Sequence, residues 1–351
     1  MSAWQIKREN DALNRAKALS EVGDQRGSYE TLVPLVHRRQ QRQWTVTMEA
    51  IVMRLAEICV ELRRPMKEVF YQFRMLATTQ SLSKTLLYWV ELSEKAAQKE
   101  LAEAYAAFEE RAVTLKESGA SDEQIESERT QVQFGTQYLR YQWDAYRTLL
   151  DTIRNNGELT DVYHDVVGRS IKFCTTLKRT GEFRKLCYNL RQHLEFIQKK
   201  QGQPAQTMTI GGRSVTLVGV DINKAEVLQP FLQGRFDVLE AATQLQMWQQ
   251  AYYQIEEIHS LIDASDAELP QRFVSTYYRQ LASVFSQSNR PSFHAYSLEA
   301  CLSLAEQTLA EQASVKLEEL LTAKTSFEQA KEQVELMMRD ERDKMRPLVD
   351  K

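Results

Sequence analysis

The sequence predicts an all-α protein, a right-handed superhelix of stacked helical hairpins. Three observations carry that prediction. Apolar residues recur every three or four positions along most of the chain, the spacing that lines one face of a helix. Only 12 glycines and 7 prolines punctuate 351 residues, which favours long uninterrupted helices. The amphipathic stretches pair into units of roughly 30 to 40 residues, the period of helical solenoids, which present long surfaces rather than clefts.

Residues 1–90 read as N-terminal helical repeats. Ala12, Leu13, Ala16 and Leu19 form one stripe, ended by Val22-Gly23-Asp24. Gly27-Ser28 opens the next helix, with Tyr29, Leu32, Leu35 and Val36 on one face. Small residues, a glycine turn and a second amphipathic helix are how tetratricopeptide-like hairpins pack. Pro34 is expected to kink this helix, because it removes a backbone hydrogen bond and crowds the turn before it. Ile51, Val52, Leu55, Ile58, Cys59 and Leu62 form the next face. Arg63-Arg64-Pro65 breaks it, and Val69, Phe70, Phe73, Leu76 and Ala77 return. Ser81 and Ser83 are candidate N-caps of a long helix starting near Lys84.

Residues 91–135 change character. Ala, Glu, Lys and Gln dominate, with sparse anchors at Leu101, Tyr105, Phe108, Ala112 and Leu115. Gly119 is a stop, and Ser121-Asp122-Glu123-Gln124 carries a capping-box pattern. The segment reads as a charged helical hairpin inserted into the stack and protruding into solvent. Residues 136–200 then start with an aromatic, amphipathic helix (Leu139, Trp143, Tyr146, Leu149, Leu150, Ile153) closed by Asn155-Asn156-Gly157.

A basic hairpin follows. Val162, Tyr163, Val166, Val167, Ile171, Cys174 and Leu177 line its first helix; Phe183, Leu186, Cys187, Leu190, Leu194 and Ile197 line its second. Thr180-Gly181 is the expected break. Residues 201–220 are the one β-like stretch: two runs of β-formers flank Gly211-Gly212, as a β-hairpin or a surface loop. Helical repeats resume over 221–313. Residues 314–351 read as a charged long helix or coiled-coil tail, with Leu320, Phe327, Val334 and Met337 at sparse heptad spacing.

Catalytic chemistry finds no foothold. The glycines form neither a phosphate loop nor a dinucleotide fingerprint, and HExxH is absent. The five histidines are scattered; His164 beside Asp165 is the one adjacent His–carboxylate pair, and neighbours on a helix point about 100° apart. Cys59, Cys174, Cys187 and Cys301 each sit in an apolar periodicity without a CxxC, as buried free thiols do. Trp143, Trp248 and Tyr277-Tyr278 lie at core spacing. No catalytic residue, cofactor or metal is expected. The N-terminus lacks the apolar core of a signal peptide, and no apolar run approaches the ~20 residues of a membrane span. The chain therefore reads as cytoplasmic, with no membrane partner.

One feature points to a partner. Residues 169–200 hold nine basic side chains against two acidic ones, a surplus of +7 inside a chain of net charge −3. Arg169, Lys172, Arg179, Arg184, Lys185 and Arg191 are the candidate face for a polyanion, or for an acidic partner. Such cations contact phosphates and set position; sequence-specific base reading is unsupported.

The same stretch carries a resemblance. Lys172-Phe173-Cys174, followed by Glu182-Phe183-Arg184-Lys185-Leu186-Cys187-Tyr188-Asn189-Leu190-Arg191-Gln192-His193-Leu194, resembles the largest (a) subunit family of eukaryotic translation initiation factor 3. Ala12-Leu13-Asn14-Arg15-Ala16, Cys59-Val60-Glu61-Leu62-Arg63 and Tyr163-His164-Asp165 fall in the same order. So do Trp248-Gln249-Gln250-Ala251-Tyr252 and Phe293-His294-Ala295, and the likeness runs over about 9–305. The resemblance implies a tetratricopeptide/PCI-like solenoid leading toward a PCI module. It also implies a non-catalytic scaffold that helps assemble the factor and bind mRNA and the small ribosomal subunit during initiation. Implied partners are other initiation factor 3 subunits, notably subunit c, and the small ribosomal subunit through ribosomal protein or rRNA. The tail after about 315 lacks the expected winged helix, so the chain reads as a fragment or as ending before the part that pairs with subunit c. The alternative is a subunit of another PCI complex, the proteasome lid or the signalosome.

Overall fold

The computed structural model describes residues 3–37, 45–117, 121–201, 206–210, 213–217, 219–263, 271–312, 336 and 339. The chain divides into two compact units, Met1–Asp221 and Ile222–Lys351. The described residues are helical apart from turns, loops and one two-stranded antiparallel hairpin.

The first unit opens with α1 (Ala3–Glu21), α2 (Gln25–His37), α3 (Val46–Glu61) and α4 (Lys67–Phe73). Small residues let α1 and α2 approach: Ala16 and Ser28 are fully buried, and Ser28 Oγ donates to Ala16 O at 2.8 Å. α2 starts two residues before Gly27, because Asp24 Oδ1 caps it by accepting from Gly27 N at 2.8 Å. A Cβ at Gly27 would lie 2.2 Å from that carboxylate, so a larger residue there would displace the cap. The helix runs through Pro34 to His37. The bond removed is the one that a residue-34 N–H would donate to Glu30 O, and the helix continues for only three residues beyond Pro34. Thr45 caps α3 through Met48 N (2.9 Å) and ties it to α1 by donating to the buried Glu9 carboxylate (2.9 Å).

α5 spans Thr79–Glu117, 39 residues and about 58 Å. The expected caps Ser81 and Ser83 lie inside it. The donor-accepting hydroxyl is that of Thr78, at 3.3 Å from Ser81 N. A cap must sit outside the helix to turn its oxygen back on the first N–H groups. The expected segment boundary at residue 91 therefore falls mid-helix. Ser93 and Ala97 still belong to the core where α5 meets α7, and beyond them only Phe108 is buried in this helix. α6 (Asp122–Gly135) returns alongside α5 with no buried residue, as a solvated hairpin would. Both hydrogen bonds of the capping box are present, Gln124 N to Ser121 Oγ (3.3 Å) and Ser121 N to Gln124 Oε1 (3.1 Å).

α7 (Gln137–Ile153) buries the predicted stripe from Leu139 to Ile153 against α5, α8 and α9. Trp89 on α5 lies tilted against Phe70 (5.2 Å between ring centroids) and donates its indole N–H to Tyr141 Oη (3.0 Å). Tyr141 in turn donates to Arg64 O at 3.0 Å, so both polar handles are satisfied inside the core. A single 3-10 turn (Gly157–Leu159), capped by Asn156, leads into α8 (Thr160–Thr176) and α9 (Thr180–Lys200). Beyond them, β1 (Gln206–Ile210) pairs antiparallel with β2 (Arg213–Leu217), so the described strands of the predicted β-like stretch are paired.

A buried relay joins α7, α8 and α9. Tyr163 Oη lies 3.1 Å from His193 Nδ1, and His193 Nε2 lies 3.0 Å from Asp151 Oδ1. Burial works against ionisation of Asp151, but the hydrogen bond and charge of His193, with Arg154 and Lys67 nearby, outweigh it and hold the carboxyl below its usual range. Sequence spacing hid this relay, because its members lie 30 and 42 residues apart.

The second unit holds α10 (Ala225–Gln244), α11 (Trp248–Asp263), α12 (Gln271–Gln287) and α13 (Pro291–Gln312). Arg235 bonds Glu257 across α10 and α11 at 2.6 Å, Phe236 stacks on Phe273 at 6.2 Å, and the buried His294 bonds Ala282 O at 2.8 Å. The predicted tail, 314–351, lies outside the described residues except at positions 336 and 339, which are helical.

Five helices end in the same way. The residue after the C-cap is left-handed: Gly23 (φ 90°), Arg63 (53°), Lys178 (49°), Gln246 (56°) and Asn289 (58°). In each, the next N–H reaches back to the carbonyl five residues earlier at 2.8–2.9 Å, which is the Schellman geometry. Four of the five are not glycine, so each carries steric cost at its Cβ. Gln246→Gly should therefore raise stability by about 0.5–1 kcal/mol, read as a higher denaturant midpoint with unchanged slope.

The relay makes a pH prediction. A carboxyl held below its unfolded pKa of ~3.9 contributes stability above that pH, and loses it as pH falls through the lower folded value. Asp151→Asn should be less stable than the parent at pH 7, and the gap should close on acidification below about pH 4. Equal melting points for the two proteins at pH 7 would rule the relay out as a stabilising element.

Candidate polyanion-binding face

The face is carried by α8 and α9, whose predicted apolar seam is in place. Tyr163, Val166, Val167, Ile171 and Cys174 are buried on α8; Phe183, Leu186, Cys187, Leu190, Leu194 and Ile197 are buried on α9. The break does not fall at Thr180-Gly181, which form the first turn of α9. It falls at Lys178, whose left-handed backbone lets Arg179 N reach Cys174 O at 2.8 Å. With the reversal fixed there, residues off the seam are turned outward, and the cations divide into three kinds.

Arg179 is not on the surface. Its side chain is 2% exposed, Nη1 bonds Glu182 Oε1 at 2.7 Å, and Nη2 donates to Gln133 O at 3.0 Å. The guanidinium lies over Phe134 and Phe173, 5.2 and 5.6 Å from the ring centroids. It thus fastens the end of α6 to the α8–α9 turn. Arginine suits this because its planar fork makes several hydrogen bonds and stacks on rings at once. Counting charge along the sequence cannot separate such a residue from a solvated one.

Arg169 is half-buried and engaged: Nε bonds Asp165 at 2.8 Å and Nη1 bonds Glu94 on α5 at 3.1 Å. The same Glu94 accepts from Tyr146 Oη at 2.7 Å; burial, then that hydrogen bond and charge, push the phenol pKa up. Arg191 is also half-buried. Lys172, Arg184 and Lys185 are exposed, and so is Lys178, which lies outside the predicted set. These four make no ion pair among the described residues. Tyr188 stands among them, 62% exposed.

The carboxylates of this hairpin are largely occupied: Asp165 by Arg169, Glu182 by Arg179, and Glu195 by Lys199 at 3.9 Å. The outward surface is therefore cationic, though smaller than the sequence tally. Burial pushes the Cys59 thiol up to about 12 and raises that of Cys174 as well, which leaves both protonated and unreactive near neutral pH. Among the described residues no group of three or more His, Cys, Asp or Glu is placed to hold a metal ion, and no helix is long and apolar enough to cross a membrane.

Removing the Arg179 clasp leaves Glu182 and the Gln133 carbonyl without their donor. Arg179→Met should cost about 3 kcal/mol of unfolding free energy, whereas Lys172→Met, on the open surface, should change it by less than about 0.5 kcal/mol. Denaturant titrations of the two variants make the comparison.

A protein-family model described as "eIF3a, PCI domain, TPR-like region" matches residues 9–350, past the limit near 305 that the motifs alone suggest and through the tail. The A subunit of eukaryotic translation initiation factor 3 from Mus musculus is 28% identical over 317 residues, 86% of this chain but 22% of that protein. Its counterpart in Yarrowia lipolytica is 30% identical over 88% of this chain and 33% of its own length, and that of Brugia malayi 31% over 84% and 27%. The chain thus spans about a fifth to a third of these relatives. Residues 1–338 of the assembly chaperone of RpL4 align over 97% of this chain and 98% of that one at 12% identity, with a TM-score of 0.25. This chain belongs to the family of the eIF3a PCI and TPR-like region.

Proposed function

We propose that this chain is a non-catalytic scaffold segment of translation initiation factor 3, acting in the cytoplasm. It helps assemble the factor and bind mRNA and the small ribosomal subunit during initiation. The observation that carries this reading is the family match across residues 9–350, laid over a chain of stacked helical hairpins. Surfaces of this kind serve assembly, because neighbouring hairpins present long outer faces without needing a cleft. Its partners would be other subunits of the factor, subunit c first among them, and the small ribosomal subunit. The exposed cations Lys172, Lys178, Arg184 and Lys185 are the part of the first unit best suited to ribosomal RNA or an acidic ribosomal protein.

A tagged pull-down from the chain's own cytoplasm, with mass spectrometry and a sucrose gradient, tests the reading. The expected result is recovery of initiation factor subunits, with co-migration alongside the small ribosomal subunit. Proteasome-lid or signalosome partners, or a monomer away from ribosomes, would overturn it. The double variant Arg184→Glu/Lys185→Glu should lose ribosome association, most steeply at low salt, and the gap from the parent should narrow as rising salt screens the contacts. Unchanged association would remove the basic face from the proposal.

A further inference from the structure

Among the described exposed rings, Tyr188 and Tyr296 are left uncovered, and of the two only Tyr188 has cations at helical spacing, since the positions three and four from Tyr296 hold Ser292, Phe293, Glu299 and Ala300. Tyr71 is covered by the Arg74 guanidinium at 4.7 Å, and Phe134 by that of Arg179 at 5.2 Å. Phe293 lies against Phe285 at 5.2 Å, and Tyr253 Oη accepts from Gln249 at 3.3 Å. Tyr188 has no ring, cation or hydrogen-bond partner among the described residues, and 62% of it faces solvent. Its neighbours along the helix are Arg184 and Lys185 on one side and Arg191 and Gln192 on the other, at spacings of three and four. Those spacings put side chains beside one another on a helix surface. No carboxylate occupies any of the four positions.

We propose that Tyr188, with Arg184 and Lys185, forms a stacking site for single-stranded RNA on the outer face of α9. The proposal rests on the reading of the basic face given under Proposed function, and it specifies the ligand class. A glutamate-rich segment would draw chiefly on the two cations. Single-stranded RNA uses both, since unstacked bases lie flat on exposed aromatics while the cations hold the backbone. The cation pair begins about 4.5 Å along the helix axis from Tyr188, close enough for one nucleotide to meet both. Duplex RNA keeps its bases stacked inside the helix, so it can engage the cations but not the ring.

Fluorescence anisotropy on the full 351-residue chain is the test. The probes are a labelled 12-nucleotide single-stranded RNA, the matching duplex and a glutamate-rich peptide. Tyr188→Ala should weaken single-strand binding about 5- to 100-fold while leaving the salt slope and duplex binding unchanged. Tyr188→Trp should retain single-strand affinity. Arg184→Gln/Lys185→Gln should flatten the logarithmic salt slope by about 1.4. Because Tyr188 is exposed, matching thermal melts establish that each variant is folded. Unchanged affinity in Tyr188→Ala, absent single-strand binding, or tighter binding of the peptide would each overturn the stacking site. The two readings fail separately. If ribosome association needs Arg184 and Lys185 but RNA binding ignores Tyr188, the stacking site is lost and the scaffold reading stands. If single-strand binding depends on Tyr188 while ribosome association survives charge reversal, the stacking site stands and the face's ribosomal role is lost.

Discussion

A helix that stops leaves four carbonyls without intrahelical donors, and a stack of hairpins has many such ends to satisfy. This chain meets the demand repeatedly with one device, a left-handed residue that swings the following N–H back onto the helix it has just left. The device reverses the chain within about two residues, and the direction of reversal decides which face of the returning helix meets the seam. At the end of α8, Lys178 makes the turn, and the apolar row from Phe183 to Ile197 is thereby laid against that of α8. One residue more or less would rotate α9 by about 100° and bring Arg184 toward the seam. The outward basic face is thus a consequence of how backbone carbonyls are satisfied.

Electrostatics in the same hairpin is set by partners rather than by tallies. Arg179 and Arg184 are five positions apart and chemically identical, yet one is enclosed by Glu182, Gln133, Phe134 and Phe173 and the other is solvated. A buried guanidinium needs every partner, because the penalty for taking a charge out of water is offset only by hydrogen bonds and opposite charge nearby. An exposed one is held weakly and is available to a ligand. Arg169 stands between these states, bridging α8 to Glu94 on α5. Part of the apparent basic surplus, Arg169 and Arg179, is therefore internal fastening between helices, and Lys172, Lys178, Arg184 and Lys185 are left to a partner.

Family membership and architecture fit together on this scale. Stacked hairpins are held in register by buried polar links: Trp89–Tyr141, Tyr163–His193–Asp151 and Ser28–Ala16 each join separate helices, and Tyr141 adds a bond to Arg64 O. Such links specify register where apolar packing alone tolerates sliding, since a displaced partner leaves a buried polar atom unsatisfied. The α5–α6 hairpin departs from the pattern. Past Ala97 it buries only Phe108 and keeps its charge in solvent, which makes it an extension of the stack rather than part of its core.

The helices, their inner faces and the family were legible in the sequence, because apolar periodicity and local capping chemistry act over a few residues. Ser121 to Gln124, the stripes of α7, α8 and α9, and the Gly-Gly hairpin all follow from neighbours in the chain. The turn residues were less legible: Thr180-Gly181 has the look of a break because glycine is the usual left-handed residue, while Lys178 takes that role under the pull of the helix's open carbonyls. The N-cap at Thr78 rather than Ser81 turned on a single hydrogen bond. The relay through His193, the enclosure of Arg179 and the isolation of Tyr188 were decided by tertiary structure alone. The first two depend on side chains and carbonyls that arrive from helices 30 to 46 residues away, and burial and pairing are properties of that meeting rather than of the sequence around each residue.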